Sequence, residues 1–135
     1  MTTSLIYTNI MDCMKKIFII LLVIFVCATC SDTTAINNVP VAFAGFDRSI
    51  IVTLNQTEVE LDGTGSYDPD SDLLTYKWSI EAIPEKSRLT EITNANNPIA
   101  SFVPDAEGDY VFSLSVDDGV FTSQKDIVVI TVIAK

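Results

Sequence analysis

Two segments of this chain carry an apolar residue at every second position. In residues 74–81, LTYKWSIE, the side chains of Leu74, Tyr76, Trp78 and Ile80 fall on one side, against Thr75, Lys77, Ser79 and Glu81 on the other. In residues 110–116, YVFSLSV, Tyr110, Phe112, Leu114 and Val116 alternate with Val111, Ser113 and Ser115. A period of two aligns every second side chain on one face of an extended chain, so each segment reads as a strand with one buried face. The other apolar runs, VPVAFA (39–44), SIIVTL (49–54), TEVELDG (57–63), IASFVP (99–104) and DIVVITVIA (126–134), are equally short. Gly, Pro, Asn and Asp clusters separate them. About seven strands with such punctuation, and no amphipathic helical pattern, predict an all-β, antiparallel two-sheet sandwich over residues 39–135. In it Trp78, Tyr76, Phe112 and Leu114 should be buried between the sheets. Tyr110 falls where such sandwiches place a corner tyrosine.

The first 38 residues read differently. Lys15 and Lys16 precede thirteen apolar or small residues, IFIILLVIFVCAT (17–29), after which come Cys30, Ser31 and Asp32. A basic start followed by a short apolar block is the pattern of a secretory signal, and thirteen residues fall short of the roughly 20 that a spanning helix needs. Translation is expected to start at Met14, which opens MKKIFII. The sequence VCATC (26–30) resembles the lipobox of bacterial lipoproteins, in which a lipid is attached to the cysteine that becomes the new N-terminus; Cys30 is then the expected lipidation site. Residues 31–38, SDTTAINN, are polar and aperiodic and read as a tether of at most about 28 Å. All three cysteines lie at or before Cys30, so no disulfide framework is available to the predicted domain.

After Cys30 the chain carries six basic and seventeen acidic residues, a net charge of −11. Such a surface repels nucleic acid and anionic headgroups and suits cations or basic partners. The chain has no histidine, which removes the usual general base and the commonest transition-metal ligand. Neither G-x-S-x-G nor S-x-x-K occurs, so no nucleophile is marked out. The alternating aspartates Asp68, Asp70 and Asp72 do not fit an EF-hand, whose sixth and twelfth positions would be Leu73 and Ser79 here. Sandwich topology nevertheless puts this loop at the same end as the Asp117-Asp118-Gly119 connection and the incoming Asn37 and Asn38. Two readings follow: a weak calcium site made of Asp68, Asp70, Asp72, Asp118 and Asn38, with Asp117 pointing away, or a set of turns shaped by aspartates that cap their own backbone.

The segments VPVAFAGFDRSIIV, VELDGTGSYDPDSDLLTYKWSI and SFVPDAEGDYVFSLSVDDGVFTSQKDIVVITV together resemble the PKD (polycystic kidney disease) domain, in the variant of bacterial surface proteins and extracellular hydrolases. Residues 63–78 and 108–119 carry most of the likeness, and Ser71 stands where many members have glycine. The resemblance implies an immunoglobulin-like sandwich without catalytic activity. With the lipobox it implies a cell-envelope lipoprotein, held at the outer membrane by a lipid anchor with Ser31 next to Cys30. Its PKD-like module would serve adhesion, protein or carbohydrate binding, or spacing. The alternative is an accessory or fragment subunit of a larger surface hydrolase system.

Overall fold

The computed structural model describes residues 36–135, and the expected signal segment, the Met14 start and Cys30 lie outside them. Six strands form: β1 (Arg48–Val52), β2 (Val59–Asp62), β3 (Thr75–Ala82), β4 (Ile99–Phe102), β5 (Gly108–Asp117) and β6 (Asp126–Ala134). No helix occurs among the described residues. One sheet has the order β1-β6-β5-β3 and the other pairs β2 with β4.

The alternating segments became the centre of the larger sheet because their apolar faces meet in register. Trp78 lies opposite Leu114, Tyr76 opposite Val116 and Ile80 opposite Phe112, so each cross-strand neighbour adds to the same buried face. From the facing pair, Val59, Leu61, Ala100 and Phe102 close the core. Phe102 is its centre, with its ring 5.1 Å from that of Tyr110 and 4.6 Å from that of Phe112. Trp78, Phe112 and Leu114 are buried as expected. Tyr76 is only half-buried, a correction to the expected core: it is the second residue of β3 and packs against the edge of the core.

Two features depart from a seven-stranded, wholly antiparallel sandwich. Residues 39–44 form no strand and contribute a single bridge, Val41 to Tyr67. Pro40 has no N–H to give to a ladder, and Gly45 at φ +86° turns the chain away. Second, β1 runs parallel to β6, from Arg48 opposite Ile130 to Val52 opposite Ala134. Asp47 leads into that pairing by accepting the Val129 N–H at 2.8 Å.

The corner expected at Tyr110 is present. Its hydroxyl accepts the Ala106 N–H at 3.0 Å and the Asp105 N–H at 3.2 Å, and lies 3.0 Å from Asp105 Oδ1 and 3.1 Å from the Ala106 carbonyl. Tyr110 is fully buried, so these bonds satisfy the one polar atom its ring carries into the core. Burial pushes Asp105 up, but hydrogen bonds from Ser87, the Arg88 N–H and Tyr110 outweigh it and hold this carboxylate below its ordinary range.

Candidate functional site

The acidic loops and the start of the domain do converge on one end of the sandwich. Asn37 Nδ2 donates to Asp118 Oδ2 at 2.9 Å. The Asn38 N–H donates to Asp70 Oδ2 at 2.6 Å, and Asn38 Nδ2 donates to Asp70 Oδ1 at 3.0 Å. Two asparagines thus fasten the incoming segment to two loops that follow different strands.

Within the loops the carboxylates face backbone. Asp68 Oδ1 accepts the N–H groups of Asp70 at 2.7 Å and Asp72 at 3.1 Å. Asp118 Oδ1 accepts those of Val120 at 2.6 Å and Phe121 at 2.7 Å. Asp117 accepts the Gly119 N–H at 2.9 Å and the Thr122 hydroxyl. These are Asx-type turns, in which a short carboxylate stands in for a backbone carbonyl. Ser71, the residue in place of glycine, adopts φ +68°, a conformation only sparsely open to side chains; its N–H is held by the Asp68 carbonyl at 3.2 Å. The bonds from the Phe121 and Val120 N–H groups, with that from Asn37, hold the Asp118 carboxyl below its ordinary range against the opposing effect of burial.

The five expected calcium ligands fall into Asp70 with Asn38, Asp118 with Asn37 alongside, and Asp68 and Asp72 within their own turn. Among the described residues no three His, Cys, Asp or Glu side chains are grouped as a metal centre would require. One atom stands apart: Asp68 Oδ2 is buried and has no hydrogen-bond partner. A buried carboxylate oxygen left in this state carries a desolvation cost that a cation or an ordered water would offset.

A second concave surface was not anticipated. It lies where β3 starts and β5 ends, lined by Tyr76 and Val116 together with Thr75, Lys77, Asn96, Ser115, Asp117 and Thr122, a mixed apolar and polar set without a nucleophile–base pair. The β3–β5 ladder brings these residues together, pairing Thr75 with Asp117, Tyr76 with Val116 and Lys77 with Ser115, and a bridge adds Thr122 opposite Asp117; no local motif announces that. Elsewhere, Glu81 sits between Ser113 and Lys125, and the Lys125 ammonium holds its carboxyl below the ordinary range.

The family profile described as "K319L-like, PKD domain" matches residues 44–132. The chain belongs to the K319L-like PKD domain family. A mouse (Mus musculus) relative, the dyslexia-associated protein KIAA0319-like protein, is 32% identical over 84 residues, which cover 62% of this chain and 8% of that protein. This chain therefore spans only a small part of that relative's length. Among solved structures, the PKD domain of the KIAA 1837 protein is 27% identical with a TM-score of 0.56, covering 70% of this chain and 86% of that one. A nucleoside hydrolase-related hypothetical protein from Saccharophagus degradans is 26% identical with a TM-score of 0.58, over 76% of this chain and 28% of its own. The PKD domain of human KIAA0319, at 22% identity and a TM-score of 0.56 over 78% of this chain and 91% of that one, shares the fold. The PKD reading of the sequence is correct at the level of the domain.

Proposed function

We propose that this PKD domain is a non-enzymatic interaction and spacing module, carried at a bacterial cell envelope by a lipid on Cys30 and engaging protein or carbohydrate. The observation that carries the reading is the path of the chain through the domain. Asn37 is fastened to Asp118, just past the end of β5. At the other end, the Ala134 N–H donates to Glu107, just before β5 begins, and the Lys135 N–H donates to the Val52 carbonyl. The ten residues of β5 separate those ends by about 33 Å at roughly 3.3 Å per residue. A domain entered at one end and left at the other lengthens whatever it is threaded on, which suits a spacer. The groove beside β3 offers an aromatic face at Tyr76 beside hydroxyl and amide partners for a glycan or peptide.

Mass spectrometry of the mature N-terminus is expected to show a diacylglyceryl-modified Cys30 followed by Ser31. Cys30→Ala is expected to move the protein from the membrane to the soluble fraction, since several acyl chains hold a protein firmly where one holds it marginally. An unmodified N-terminus downstream of Cys30 defeats the anchor. Affinity capture from envelope fractions then separates a free-standing module from the alternative, an accessory subunit that copurifies with a hydrolase.

Calcium enters this reading as a weak ligand of Asp68 Oδ2, supported by that oxygen's lack of a partner. Extracellular sites of this strength have dissociation constants of about 0.1–1 mM, and ten times that concentration adds about 1.4 kcal/mol. The melting temperature is expected to rise with calcium and not with sodium at equal ionic strength, and Asp68→Asn to abolish the rise. A melting curve unmoved by calcium leaves the aspartates as turn formers alone.

A further inference from the structure

Residues 39–44 carry an apolar stripe on the outside of the domain. Pro40, Ala42 and Ala44 are turned inward, while Val39 is 51% exposed, Val41 is 41% exposed and Phe43 is half-buried. Val41 exchanges both backbone hydrogen bonds with Tyr67, at 2.8 and 3.0 Å, so the Tyr67 ring, 57% exposed, stands beside it. Phe46, 78% exposed, meets Phe43 edge-on with ring centroids 5.2 Å apart. Gly65 makes room for this cluster, for a Cβ there would lie 2.3 Å from Phe43 Cδ1. None of the five side chains belongs to the buried core. A continuous, partly aromatic surface of this kind marks a place of contact.

We propose that this stripe rests on the surface of the bilayer that holds the chain, an inference that builds on the lipid-anchor reading above. The stripe begins at Val39, nine residues after Cys30, and nine residues reach at most about 32 Å. An anchored Cys30 therefore keeps Val39 and its neighbours within reach of lipid at high effective concentration, so weak apolar contact suffices. Tyrosine favours the headgroup level, and phenylalanine serves as an apolar contact at such interfaces. Asp68, Asp70 and Asp118 lie at the end where the stripe starts, which selects a zwitterionic surface over an anionic one.

The test uses the full-length lipidated protein with Phe46→Trp, reconstituted in phosphatidylcholine vesicles containing lipids brominated near the headgroup. Wild type, whose sole tryptophan Trp78 is buried, supplies the baseline. The expected result is a blue-shifted emission from the new tryptophan that brominated lipid quenches, with quenching reduced when phosphatidylglycerol is added and restored by salt. Because Phe46 lies outside the core, an unchanged melting temperature verifies the fold. Emission that stays red and unquenched while the protein still sediments with vesicles overturns the stripe and leaves the anchor standing; failure of wild type to sediment overturns the anchor. Shielding of the new tryptophan in protein free of vesicles, as a second copy or a protein partner would give, or quenching strengthened by anionic lipid, also overturns the proposal.

Discussion

Trp78→Ala is expected to destabilise the domain by about 3–5 kcal/mol, the range for removing a large aromatic from a packed core. The indole is 3% exposed and faces Leu114 across the β3–β5 pair. Its Nε1 donates to the Asn97 carbonyl at 3.2 Å, and the Trp78 N–H donates to the Ala95 carbonyl at 2.8 Å. Truncation would open a cavity between the sheets and leave the Asn97 carbonyl without its donor, while the backbone bond to Ala95 survives. For a domain of this size about 1 kcal/mol moves the melting temperature by about 4–8 °C, so a fall of at least about 12 °C is expected in circular dichroism. Wild-type emission should be blue and poorly quenched by acrylamide. A red, freely quenched emission, or an alanine variant that melts with wild type, would show that Trp78 is a surface residue and that the register of β3 is wrong.

The sequence made β3 and β5 legible because alternation in a half-buried strand is local: each residue's side is set by its neighbours two away. The convergence of Asn37 and Asn38 with the acidic loops was legible too, since strand direction in a sandwich fixes which connections share an end. The parallel pairing of β1 with β6 was not. It joins residues 82 apart, as in the Asp47 side chain that accepts the Val129 N–H, and no local pattern carries a contact of that separation. VPVAFA read as a strand because it is a short apolar run between turn residues, and its even positions do face inward and its odd positions outward; what it lacks is a neighbouring ladder. Tyr76 was placed in the core by phase alone, and phase says which face a side chain takes, not how deeply a residue near the strand's start is covered. As for the aspartates, their spacing offered both a shared cation and backbone-capping turns without choosing between them; Asp68, Asp117 and Asp118 do turn oxygens onto N–H groups of their own loops.

Gly63 shows the same limit at a single residue, and its replacement is the second change with a large expected effect. In GTGSYDPD it reads as punctuation after β2, yet its φ is not in the left-handed region and its N–H is fixed to the Pro98 carbonyl at 2.8 Å. What demands glycine there is contact. A Cβ on residue 63 would lie 2.7 Å from Leu114 Cδ2 and 3.1 Å from both the Pro98 carbonyl oxygen and Trp78 Cζ2. Leu114 is the end of a side chain and has some freedom, but Pro98 is backbone and the indole is held through Asn97. Gly63→Ala is therefore expected to cost about 1–3 kcal/mol, the usual range for overpacking, and Gly63→Val more, because its added methyls have no free direction. The two sites share Leu114, so they should couple: Leu114→Ala frees the space that the new methyl needs, and the double variant should lose less than the sum of the singles. Chemical denaturation of the four proteins measures this directly. Additive losses would mean that the backbone, rather than Leu114, takes up the strain, and a Gly63→Ala variant as stable as wild type would show that the close approach of β2 to Trp78 is not what the glycine is for.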